Sequence, residues 1–273
     1  TYEICFYILG KVIFSNLITI MLLKNVVTEY DTVLVRLFGI LIGEFIHIIF
    51  IQIIVRKSYM YFYLEVNYLK KKFKEVLPLI ISTLISLIMI SSDRKILQIY
   101  YGNEYLAEYN LVYILLIPMG MIVSSFQSIW NPQLFNIKDF KTAFSETIKV
   151  LNYLFIFLVF VSGSIFFIIK YLFEFGIIKD EYFEILPLFL TMIFGFIFGL
   201  LLNFIDSLNL YLNKNYYKLY VTVLIGIIFI LLNIILIPKY AHFGISISLF
   251  ISNFIGFVIG LSLIYKNHYK NEK

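Results

Sequence analysis

Among the ionisable residues inside, or at the edge of, long apolar runs are Lys11, Arg36, Glu44, His47, Asp93 and Arg94. A charge in such a run costs roughly 2.5–3.5 kcal/mol on insertion scales, so it pairs with another group or faces a water-filled cavity. No constellation for covalent chemistry accompanies them. The chain has no Gly-x-Ser-x-Gly, no His-Glu-x-x-His, no phosphate-cradling loop and no carboxylate pair in a large loop. His47 has no second His or Cys at ligand spacing, so no metal site is expected. No cofactor is implied.

Helical residues turn by about 100° each, so the face of each polar group can be read directly. Arg36, Gly43, Glu44 and His47 share one face, as do Lys11, Ser15 and Thr19. Ser82, Ser86 and Asp93 form a third stripe, and Tyr109, Tyr113, Gly120, Ser124, Gln127 and Asn131 a fourth. Gly195, Gly199, Asn203 and Asp206 form a fifth. The Lys11, Arg36, Glu44 and His47 group lines a cavity on one reading; on the other, an Arg36–Glu44 or Lys11–Glu44 pair joins two helices. Ser248, Ser252, Gly256 and Gly260 read as a small-residue packing ridge. For Asp93-Arg94-Lys95 two readings stand: a solvated helix end, or a site. Sixteen residues separate Pro78 from Asp93 inclusive, about 24 Å of helix, a little short of a ~30 Å hydrocarbon core.

The elements that must hold these groups are membrane helices. Apolar residues make up 61% of the 273, and charged residues only 14%, which excludes a water-facing globular domain. Windows of about 19 residues mark eight spans: 4–23, 33–55, 76–100, 105–130, 150–170, 185–208, 219–238 and 244–265. The net charge of +5 is spread between the spans and not over one polar face, so it orients the chain in a membrane and implies no nucleic-acid partner. Loops 56–75, 131–149 and 209–218, with the C-terminus, carry fourteen Lys and Arg against six on the other side, which places them in the cytoplasm. Lys218 is counted there as a loop charge. Pro118 is the one mid-span proline, so a kink is expected in the fourth span. Cys5 stands alone, which excludes a disulfide framework. The chain opens on Thr1, and is read as lacking a true N-terminus.

A basic loop, then Leu77-Pro78-Leu79-Ile80, then Asp93-Arg94, Gly102, Tyr109 and Tyr113, resembles the start of the C-terminal half of bacterial polysaccharide flippases. These belong to the multidrug, oligosaccharidyl-lipid and polysaccharide exporter superfamily. The tail agrees: Leu212-Asn213-Lys214, then Asn233-Ile234-Ile235-Leu236-Ile237-Pro238-Lys239-Tyr240, then Gly244-Ile245-Ser246, with Ala241-His242-Phe243 lengthening the family's turn. Arg36-Leu37-Phe38-Gly39 and Ile42-Gly43 resemble the last helix of the N-terminal half.

The resemblance implies an all-α polytopic fold. Residues 1–55 would be the last two helices of an N-terminal lobe, 56–75 a basic inter-lobe linker, 76–265 a six-helix C-terminal lobe and 266–273 a cytoplasmic tail. It implies residence in the bacterial cytoplasmic membrane and alternating-access flipping of a polyprenyl-pyrophosphate-linked oligosaccharide repeat unit. Lys11, Arg36 and Arg94 would hold the pyrophosphate. Tyr109, Tyr113, Ser124 and Gln127 would touch sugars, and Glu44, His47 or Asp93 would couple transport to ions. Partners would be the lipid-linked oligosaccharide, membrane lipids, and the polymerase and glycosyltransferases of the pathway. The alternatives are a cation-coupled multidrug exporter or a peptidoglycan-precursor flippase of the same superfamily. Outside it, they are a membrane polymerase or acyltransferase, or a protein whose polar stripes only pack helices.

Overall fold

A computed structural model of the chain describes residues 66–176 and 185–269, with Phe45 besides. The chain divides into two compact units, Thr1–Val66 and Asn67–Lys273, and nearly all described residues belong to the second. Every element among the described residues from 66 on is a helix: α1 (Val66–Asn136), α2 (Phe140–Glu174), α3 (Ile185–Tyr211), α4 (Asn215–Tyr240) and α5 (His242–Tyr269).

As a straight rod, the 71 residues of α1 would reach about 107 Å, several times a bilayer core. The rod is broken at Gly102, whose φ of 80° and ψ of −167° leave the helical region. That combination is open to almost no residue but glycine. Two arms result, 66–101 and 103–136, matching the expected spans 76–100 and 105–130. Through Pro118 the backbone keeps helical angles, so the break falls at Gly102 and not at the proline. With the remaining four helices, the described residues hold six apolar helical segments, each long enough to cross a membrane. The protein is an all-α polytopic membrane protein. The expected spans 4–23 and 33–55 lie outside the described residues.

The helices outrun the apolar windows that predict them. The expected loop 131–149 is almost all helix, because its Lys, Glu and Thr residues extend α1 and α2 into the polar zone without ending them. Only 137–139 are non-helical. Asp139 caps α2, its carboxylate accepting from the Thr142 amide at 2.8 Å and the Thr142 hydroxyl at 2.7 Å. Those bonds hold the carboxyl below its usual range.

Within the apolar segments, hydroxyl groups bond back to their own helix: Ser82 to the Pro78 carbonyl at 2.7 Å, Ser86 to Ser82 at 3.0 Å, Ser252 to Ser248 at 2.7 Å. This satisfies them where no water is at hand. The core centres on α3, which buries Leu188, Phe189, Met192, Leu201, Phe204 and Ile205. At Gly195 the backbone of α5 comes so close that an added Cβ would lie 2.7 Å from the Phe250 nitrogen. Gly256 of the expected packing ridge sits against Ile225 and Leu202, and Ser248 and Ser252 are fully buried. Outward, Ile88, Ile156, Phe160, Ile227 and Leu231 present bare apolar side chains, as a lipid-facing surface requires.

Candidate functional site

Two adjoining cavities are cut into this bundle. The first, about 460 Å³, is walled by both arms of α1 and by α3, α4 and α5. Ser82, Ser86 and Asp93 come from the first arm, Tyr109 and Tyr113 from the second, Asn203 and Asp206 from α3, and Lys218 and Thr222 from α4. The second, about 370 Å³, takes Gly120, Ser124, Gln127 and Asn131 from the second arm of α1 and Ser207 from α3. Leu200, Asn203, Asp206 and Lys218 line both. Three sequence stripes thus converge on these adjoining cavities: Ser82/Ser86/Asp93, Tyr109 through Asn131, and Asn203/Asp206. Residues of all three stripes line these cavities.

At one end, Asp93 is only 3% exposed and its Oδ2 accepts from the Tyr109 hydroxyl at 2.7 Å. Its other oxygen accepts from the Arg94 amide. The reading of Asp93 as a solvated helix end does not hold, because the second arm of α1 folds back over it and buries it. The Arg94 guanidinium lies over the Tyr113 ring at 5.1 Å, a cation–π contact that holds the charge beside the cavity wall. Asp93, Arg94, Tyr109 and Tyr113 therefore form one cluster, although the sequence reading assigned them different roles. Ser124 and Gln127 lie further along. Gln127 donates to the Asn203 carbonyl at 2.6 Å and ties the second arm of α1 to α3. Lys11, Arg36, Glu44 and His47 lie outside the described residues.

Where the cavities meet, Lys218 Nζ and Asp206 Oδ2 form an ion pair at 3.0 Å. Asn209 donates to the other Asp206 oxygen at 3.1 Å. Sequence position counted Lys218 among solvated loop charges. The turn after α3 is tight, with Lys214 N bonding the Asn209 carbonyl at 2.9 Å, so α4 begins early and Lys218 stands on its wall. The signal that could have found the pair was the helical stripe ending at Asp206 with a lysine just past a short turn.

A third cavity, about 570 Å³, lies where α1 bends and α4 meets α5, lined by Glu104, Glu108, Lys239 and His242. His242 Nδ1 lies 3.7 Å from Glu108 Oε2, and His242 is 2% exposed. Sequence reading missed this contact; its one trace was the Ala241-His242-Phe243 insertion in the turn.

Residues 2–138, half of the chain, match the family described as polysaccharide biosynthesis protein. No curated protein and no solved structure matches the chain. The matched stretch includes both arms of α1, and with them Asp93, Tyr109, Tyr113, Ser124 and Gln127; the α3–α5 walls lie beyond it.

Proposed function

The chain belongs to the polysaccharide biosynthesis protein family, membrane proteins of transporter type, and on that premise we propose that it flips lipid-linked oligosaccharide repeat units across the bacterial cytoplasmic membrane. The observation that carries this reading is the pair of adjoining cavities, about 460 and 370 Å³, whose walls set hydroxyl, amide and charged groups among apolar side chains, inside helices whose outer faces are apolar. A polar headgroup crossing a bilayer needs such an interior, because each unpaired polar group costs several kcal/mol in hydrocarbon. The cargo is a polyprenyl-pyrophosphate-linked oligosaccharide. Its sugars meet Tyr109, Tyr113, Ser124 and Gln127, whose rings and hydrogen-bonding tips suit sugar faces and hydroxyls. Its pyrophosphate meets cations in a water-poor setting, with Lys11, Arg36 and Arg94 in that role.

Transport proceeds by alternating access between two lobes, with the basic loops and the C-terminus in the cytoplasm. The nearby polymerase and glycosyltransferases of the pathway consume and supply the cargo. The test replaces Lys11 and Arg36 together by Gln in the full-length protein and follows carrier-linked repeat units in cells. We expect them to build up inside while surface polysaccharide falls at least tenfold, with the protein present at its normal level. Unchanged export in that double variant refutes the pyrophosphate role of these two residues.

A further inference from the structure

Most serines in the apolar helices spend their hydroxyl on a carbonyl of their own helix; Ser207 does not. Its Oγ is buried without a hydrogen-bond partner, and the residue, 1% exposed, is among those lining the second cavity. The carbonyl four residues earlier, that of Asn203, accepts from Gln127 instead. One residue away stands Asp206, whose carboxylate takes up Lys218, the one Lys or Arg among the described residues lining these two cavities. An idle donor and a cation held by a neighbouring carboxylate, facing one cavity, form half of an anion site.

We propose that Lys218 and Ser207 bind a phosphate or pyrophosphate group and that Asp206 occupies Lys218 only until that group arrives. This rests on the transport reading and adds to it a cation beyond Lys11, Arg36 and Arg94. The exchange is favoured by charge and by donor count. A phosphate ester carries up to about two negative charges and three strong acceptor oxygens, against one charge on a carboxylate. A buried carboxylate is already costly to desolvate, so its hold on Lys218 is partly spent against that cost. On release, Asp206 keeps the Asn209 amide at 3.1 Å as a partner. Ser207 supplies the hydrogen bond that an oxyanion lacks when only the ammonium faces it. The small net attraction of such a pair suits a transporter, which must also let its cargo go.

The experiment measures binding to the purified full chain in detergent, with farnesyl pyrophosphate, inorganic pyrophosphate and farnesol as probes. Asp206→Asn removes the competitor, and farnesyl pyrophosphate should bind about fivefold or more tighter. Lys218→Gln should weaken it at least tenfold, and Ser207→Ala several-fold. The neutral double variant Asp206→Asn/Lys218→Gln keeps a hydrogen-bonded pair, so it should unfold near the wild-type temperature yet bind as poorly as Lys218→Gln. If inorganic pyrophosphate responds to the variants as farnesyl pyrophosphate does, the site reads a free anion; if only the farnesyl ester responds, it reads a lipid-borne one. Either pattern supports the site, and farnesol should ignore every variant. A purely structural pair predicts the opposite: Asp206→Asn fails to tighten binding, or the double variant binds like wild type. Either result overturns the proposal and leaves the transport reading standing. Absence of binding of both farnesyl pyrophosphate and inorganic pyrophosphate to the wild-type chain likewise overturns the site, whereas the transport reading falls only if export is normal without the gene.

Discussion

The Asp93–Tyr109 bond shows how a single buried charge is held. The carboxylate has two donors within its own long helix, the Arg94 amide and the Tyr109 hydroxyl, the latter brought back by the break at Gly102. Removing only the hydroxyl, in Tyr109→Phe, takes one of its two donors from this buried carboxylate. The expected loss is about 1–3 kcal/mol. Denaturation in detergent reads it, and Asp93→Asn should blunt the effect of Tyr109→Phe in a double-mutant cycle. Unchanged stability in Tyr109→Phe contradicts the bond. At this scale the sequence was legible wherever one helix carries the pattern. Turning 100° per residue places Ser82, Ser86 and Asp93 together, and likewise Tyr109 through Asn131, because the geometry is internal to the helix. It could not place Lys218 against Asp206 or His242 against Glu108, since those meetings depend on how α4 and α5 return through the bundle. A lysine also reaches far along its own stem, which position in the chain does not record.

Helix breaks and crossings were half legible. In the sequence Gly102 stands out only as part of a motif, whereas Pro118 predicts a kink. Proline's neighbours in a packed bundle can keep the helix running, while a glycine with a φ of 80° ends it outright. Gly102→Ala should cost about 1–3 kcal/mol from backbone strain alone, as an added Cβ there meets nothing within 4 Å. Gly195 is the converse case, limited by its neighbour and not by its own dihedrals. Gly195→Leu should destabilise by at least about 1–3 kcal/mol, because α5 backbone lies 2.7 Å from the first added carbon. Gly163→Ala, with open space around it, serves as the control and should be neutral or slightly stabilising. At α2, the carboxyl of Asp139 is held low by Thr142, so its cap is complete above the ordinary carboxylate range. It weakens as pH falls through the lowered value. Hydrogen exchange over the first turn of α2 should therefore quicken in Asp139→Ala at neutral pH, and in the native chain only in acid.

On the scale of the whole molecule, the length and apolar content of the spans fix the class, since a bilayer leaves a chain few structural options. The family follows from residues 2–138, and the polar cavities from helices on both sides of the end of that match. Cargo and direction belong to the proposal. The most direct test follows the sidedness of a radiolabelled lipid-linked repeat unit in cells whose copy of the gene has been deleted, then restored. Without the gene, the labelled unit should collect on the cytoplasmic leaflet, shielded from a membrane-impermeant oxidant of sugars. It should become accessible when the wild-type protein returns. Repeat units that reach the outer leaflet at the normal rate in the deletion strain contradict the account.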